Sequence, residues 1–129
     1  MNNDTLFDWQ FAWQILPELL HASMTTIGIT LVAFVLALVL GLILAMMRRS
    51  QSRLLSWPAT GVIEFIRSTP LLIQLYFLFY VLPEYGVIMS ALTAGMVGLA
   101  LHYACYVAEV YRAGLDSVPR GQWEASAYT

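Results

Sequence analysis

The sequence predicts an all-α protein, a bundle of membrane-spanning helices with its N-terminus outside the cell. Three observations predict it. Of the 129 residues, 60% are hydrophobic and only 11% are charged, whereas an ordinary soluble domain has about one quarter charged. Residues 27–47 carry no charge and a single polar residue, Thr30. As a helix that run covers about 31 Å, enough for a hydrocarbon core of about 30 Å. Finally, all six basic residues are arginines, at positions 48, 49, 53, 67, 112 and 120, and none precedes Arg48. Arginines in short loops mark the cytoplasmic side.

Each spanning helix needs about 20 apolar residues, so the chain has room for about three. The net charge of −2 is small, and its sign matters less than its distribution. Ahead of Arg48 the charged residues are Asp4, Asp8 and Glu18. A secretory signal peptide opens on a basic segment, which this N-terminus lacks, so none is expected. Cys105 is the one cysteine and sits in an apolar run. No disulfide framework or zinc motif can be built from it, and packing is its expected role.

Residues 1–24 read as a lead-in to the first span, in which Phe7, Trp9, Phe11 and Trp13 alternate with polar or small residues. Such aromatics form interfacial belts; a peptide-binding surface is the alternative. Pro17 is expected to break this lead-in or to open the next helix. Within the first span, Ala33, Ala37, Gly41 and Ala45 recur every fourth residue. In lipid, small residues at that spacing let a second helix approach closely, here within the same subunit rather than across a dimer. Residues 48–53 form a short cytoplasmic loop.

Residues 54–82 are too long for one straight span, about 43 Å as a helix, and must tilt, kink or start along the interface. Pro70 removes a backbone hydrogen bond and predicts a kink near Ile66 and Arg67, with Ser68 and Thr69 supplying replacement hydrogen bonds. A charge placed mid-span, as Arg67 would be, costs about 2.5–3.5 kcal/mol even on the most lenient scale. It therefore needs a partner, and Glu64 lies three residues away on the same helical face. Two readings stand side by side: a polar lining of a path through the bilayer, or a structural pair reached by snorkelling near the cytoplasmic boundary. Residues 82–86 form an external turn, and residues 87–111 return inward. Ala94 and Gly98 repeat the small-residue spacing there, with Gly95 beside them. His102 on this span is read as an interhelical hydrogen-bonding group, with a place on the path as the other reading. Glu109 and Arg112, three residues apart, look like a structural pair.

Beyond this span the chain turns polar. Residues 114–126 carry Asp116, Arg120 and Glu124, with helix punctuation at Gly114, Pro119 and Gly121. Pro119 suits a helix first turn, and the residues from Gln122 onward tolerate or favour helix. A short helix outside the bilayer, with no lipid to face, implies a protein partner.

Glu124-Ala125-Ser126, following Val118-Pro119-Arg120-Gly121-Gln122, resembles the start of the E-A-A loop of ABC importer permeases. The string from Ala108 through Ala125 resembles their polar amino-acid branch, and Phe65-Ile66-Arg67-Ser68-Thr69-Pro70-Leu71-Leu72 resembles its usual F-x-R-G-T-P-L-L. Ser126 stands where that family usually has Ala, and Ser68 where it has Gly. The resemblance covers nearly everything from Thr25 onward. It implies that residues 25–129 are the first three spans of a permease fold of about five, cut within the coupling loop before the Gly that normally follows. It further implies a bacterial inner-membrane subunit importing a small polar solute. ATP would be hydrolysed on a separate ATPase subunit, and a periplasmic or lipid-anchored solute-binding protein would deliver the ligand. A second permease subunit, identical or not, would complete the membrane part. Pro119, Gly121, Gln122, Trp123, Glu124, Ala125 and Ser126 are the implied ATPase contacts. Arg67, Thr69, Pro70, Gln74 and His102 are the candidate path residues. Residues 80–86 and 108–114 look most like permeases for ectoine and hydroxyectoine, with a general polar amino-acid importer as the close alternative.

No phosphate loop, metal-ligand cluster or catalytic triad is legible, so neither a cofactor nor an enzymatic role is expected. Basic residues are too few for nucleic-acid binding. A small multi-span scaffold that transports nothing is the competing class, but it leaves the polar segment after Tyr111 without a purpose.

Overall fold

The computed structural model describes residues 7–128, and its elements are all helical. The first six residues of the lead-in, Asp4 among them, and Thr129 lie outside the described residues.

Helix α1 is Trp9–Arg49, 41 residues long, or about 61 Å. Asp8 caps it, its carboxylate accepting from the backbone N–H groups of Gln10 (2.9 Å) and Phe11 (3.2 Å). The lead-in and the first span are therefore one helix, and Pro17 neither breaks nor starts it. A proline inside a helix costs about 3 kcal/mol. Its flanks here, from Asp8 to Arg49, hold enough consecutive helical residues for cooperative propagation to carry through it. Ser23, Thr25 and Thr26 fold their hydroxyls back onto the carbonyls four residues earlier.

The stripe of small residues does what its spacing predicts within the subunit. Ala33, Ala37, Gly41 and Ala45 are the buried residues of α1, and α1 packs chiefly on α4, Ala91–Asp116. The two backbones come so close at Gly41 that an added Cβ would lie 2.9 Å from the carbonyl oxygen of Ala104. Ala45, Ile63, Cys105 and Ala108 form the dry centre of the bundle. Cys105 is buried there as a packing residue. Helix–helix association in lipid rests on such close packing, because lipid tails leave no hydrophobic gain between helices.

Helix α2, Arg53–Ser68, turns across the end of this pair. Ser56 donates to the carbonyl of Arg48 (2.9 Å), and Ala59 and Ile63 face inward. The chain then breaks at Thr69 and Pro70 and bends by 105° into the run Leu71–Tyr85. That run is α3, Leu71–Tyr76, continued by a π turn, Phe77–Val81, and a 3-10 turn, Leu82–Tyr85. It lies along α4, with Leu75 and Leu78 against Gly98. The kink thus falls at Thr69–Pro70 and not near Ile66 and Arg67, because α2 keeps its helical bonds through Ser68. α1 and α4 are long and apolar enough to cross a membrane, and the bent pair, taken as one span, makes a third.

Of the backbone carbonyls that lose helical partners around the break, four find another. Phe65 accepts from the Thr69 hydroxyl (2.9 Å), Ile66 from the Thr69 N–H (3.2 Å) and the Gln74 amide (2.9 Å). Arg67 accepts from the Tyr106 hydroxyl (3.4 Å), and Thr69 from the Gln74 amide (2.9 Å). Left bare in the bilayer, each such group would cost several kcal/mol.

Gly86 closes the external turn in the left-handed region, φ 85°. Gly86→Ala should lower stability by about 1 kcal/mol, because a Cβ is penalised in that conformation; thermal unfolding in detergent measures it. The return helix α4 starts at Ala91, four residues after the position expected, and runs on to Asp116. The Ser90 hydroxyl accepts the Thr93 N–H (3.1 Å) and sets the start. Gly114, read as helix punctuation, lies inside α4, which ends only at its C-cap Ser117.

Candidate functional site: a charged girdle beneath an exposed helix

Helix α5, Arg120–Ala127, follows α4 after a short link, with Pro119 at its N-cap. It begins at Arg120, one residue after Pro119, the proline expected in its first turn. Pro119, Gly121, Gln122, Trp123, Glu124, Ala125 and Ser126 all lie on or at the start of this helix, which packs on no other described element. Trp123 is half exposed, although aromatic residues gain most from burial. The link is short and tied down: Ser117 donates its N–H to Ala113 (3.1 Å) and its hydroxyl to Gly114 (2.7 Å).

The last turns of α4 are bolted to the neighbouring helices by charge. Glu109 is only 16% exposed and is the hub. It receives Arg48 of α1, Arg112 of its own helix (3.0 Å) and, at 3.9 Å, Arg67 of α2. Arg48 also reaches Glu64 (3.6 Å). Asp116 binds Arg49 (2.7 Å) and Arg112 (3.3 Å). Four arginines and three carboxylates from three helices thus share one girdle.

Glu64 and Arg67 do not form the pair expected from their spacing. Tertiary packing brings each a better partner: Arg48 meets Glu64, while Arg67 turns toward Glu109 and lies over the Tyr106 ring, 5.3 Å from its centre. The Glu109–Arg112 pair is present as read from sequence. Arg48, Arg49 and Asp116 were not legible as members of a site. For Glu109 a signal existed: an acid among Val107, Ala108 and Val110 demands cations, and its own helix supplies only Arg112 nearby.

Arg67, Thr69, Pro70, Gln74 and His102 come together at the break and the stretch of α4 facing it. His102 Nδ1 lies 3.3 Å from Gln74 Oε1, an interhelical hydrogen bond. The His102 ring also meets Tyr103 and Tyr106, at 5.2 and 5.1 Å between centres. Beside them an apolar groove of about 330 Å³ runs between Phe65, Ile73, Phe77 and Leu101. No cluster able to hold a metal ion exists among the described residues.

Paired apolar spans with a charged girdle at one end, and a helix beyond it that packs on no other described element, define an integral membrane component. The chain belongs to the family described as the binding-protein-dependent transport system inner membrane component, matched over residues 37–128, and is a multi-pass inner-membrane protein. It is 50% identical over 82 residues to the probable amino-acid ABC transporter permease protein y4tG of Sinorhizobium fredii, covering 64% of this chain and 36% of that one. To the L-cystine transport system permease protein TcyB of Bacillus subtilis it is 38% identical over 81 residues, covering 63% and 35%. The crystal structure of an amino acid ABC transporter with histidines superposes with a TM-score of 0.87 at 34% identity, over 95% of this chain and 57% of that one. The chain thus spans little more than a third of the length of the curated relatives it matches.

Proposed function

We propose that this chain supplies the front part of a permease subunit in an ATP-driven importer, and that α5 is the element through which a separate ATPase subunit moves it. The observation that carries this reading is the exposed α5, unpacked yet rooted through a tight link in the girdled end of α4. The girdle holds most of the arginines, so it faces the cytoplasm and the N-terminus lies outside. Gln122–Ser126 would seat on the ATPase, with Trp123 as the apolar anchor and Glu124 as the charged contact; aromatic anchors dominate many interfaces. Rigid movement of α5 then tilts α4 and alternately opens the path beside Arg67, Thr69, Pro70, Gln74 and His102. A solute-binding protein delivers the ligand from outside, and a second permease subunit completes the membrane part. ATP hydrolysis belongs to the partner and not to this chain.

The substrate class this reading favours is a small polar amino acid, in keeping with what the relatives' names say of those proteins. Ectoine or hydroxyectoine, to which residues 80–86 and 108–114 point, is the narrower reading. Both carry a carboxylate that Arg67 can meet. Equilibrium binding of labelled amino acids and of ectoine to the cognate solute-binding protein separates the two. A scaffold without transport leaves an exposed Trp123 and a freestanding α5 unexplained.

In the assembled transporter, Glu124→Lys should cut uptake more than tenfold, the loss that goes with an interface contact worth about 2 kcal/mol. Insertion into the membrane should be unchanged, because α5 packs on no other described element. Full uptake by that variant would remove α5 from the coupling role.

A further inference from the structure

We propose that Gln74 is the positioning residue of the broken span, fixing the bend between α2 and α3 and the protonation pattern of His102 with one carboxamide. This inference does not depend on the import reading. Pro70 has no N–H to give the Ile66 carbonyl. The N–H of Ile73, which a continuous helix would give to Thr69, goes to Pro70 instead (3.1 Å). Two carbonyls, Ile66 and Thr69, are thereby released on the same side of the break. The Gln74 NH₂ group stands 2.9 Å from both. A carboxamide has two N–H donors, and both are used here, one for each released carbonyl. Gln74 is therefore a splint of the backbone, with no donor left for a passing ligand.

Its remaining atom is then fixed in direction. With NH₂ turned to two carbonyls, Oε1 faces His102 Nδ1 at 3.3 Å. An oxygen cannot donate, so Nδ1 must carry the proton. A neutral imidazole holds one proton, which leaves Nε2 with a free lone pair. The bend of one span and the acceptor on another are set by the same side chain.

Two measurements on the chain in lipid nanodiscs test this. Spin labels at Gly61→Cys, where an added Cβ meets nothing within 4 Å, and at the exposed Leu72→Cys flank the break; Cys105 is buried and stays unlabelled. The parent should give one narrow distance population. Gln74→Leu and Gln74→Glu should both lose it, since neither can donate two hydrogen bonds as an ionised or apolar group. A narrow population retained in Gln74→Glu would show that shape, not donation, holds the bend, and would overturn the proposal. Nitrogen NMR of histidine-labelled chain, with His21→Asn to leave His102 as the one histidine, needs no change at position 74. Protonated Nδ1 with bare Nε2 is the expected pattern. A bare Nδ1, or protons on both nitrogens, would overturn the assignment even if the position 74 variants failed to insert.

Discussion

Glu109→Gln should loosen the cytoplasmic end of the bundle more than any other single side-chain change in the girdle. Glutamine keeps the shape and removes the charge. Four arginines would then face two carboxylates, Glu64 and Asp116, each of which already serves another arginine. Removing one partner from a fully buried ion pair costs about 3–5 kcal/mol. The arginines around Glu109 are 22%, 35% and 40% exposed, and water screens part of the imbalance. A loss of about 2–3 kcal/mol is therefore expected, below the fully buried case. Thermal unfolding in detergent reads the loss directly. A double-mutant cycle sharpens it: Arg112→Gln should destabilise the parent but cost less in the Glu109→Gln background, where it relieves repulsion. Strict additivity of the two changes would show that Glu109 is not the hub. In the assembled transporter the same variant should lower uptake, because α5 would then push on an α4 no longer tied to α1 and α2.

Much of this architecture was legible beforehand, and the parts that were not share a physical cause. Local rules worked where the signal lay within one helix. The small residues of α1 declared their buried face by spacing alone, Gly86 declared its turn, and Pro70 declared a break. The candidate path residues do converge around that break, although their part in transport is a matter for experiment. Local rules failed where a distant element outbid a near one. Glu64 and Arg67 sit at ideal spacing, yet α1 and α4 bring them Arg48 and Glu109. The three-way role of Glu109 needs the crossing of α1, α2 and α4, which no spacing along the chain encodes. Pro17 shows the opposite failure: a strong local breaker was overridden by cooperative helix on both sides. The start of α4 depended on the hydroxyl of Ser90, a cap whose competition with the preceding apolar residues the hydropathy pattern could not resolve.

Gly41 offers the sharpest comparison among the glycines, because three of them answer to different neighbours. At Gly41 an added Cβ would lie 2.8 Å from Val107 Cγ1 and 2.9 Å from the Ala104 carbonyl oxygen. Side chains can rotate away, but that carbonyl belongs to the backbone of α4 and cannot yield without moving the helix. Gly41→Ala should therefore part α1 from α4 and cost about 1–3 kcal/mol, the range for overpacked sites, with Gly41→Leu at or beyond its upper end. At Gly98 the nearest obstacle is the tip of Leu75, which can change rotamer, so Gly98→Ala should cost less than the same change at Gly41. At Gly95 nothing lies within 4 Å, and Gly95→Ala should gain up to about 1 kcal/mol from helix propensity alone. Thermal unfolding of the three alanine variants in one detergent should give the order Gly95, Gly98, Gly41 from most to least stable. Equal behaviour at Gly41 and Gly95 would mean that α1 and α4 are not in backbone contact. In a bilayer, where apolar side chains gain nothing by leaving lipid for one another, that contact is what holds the two long spans together.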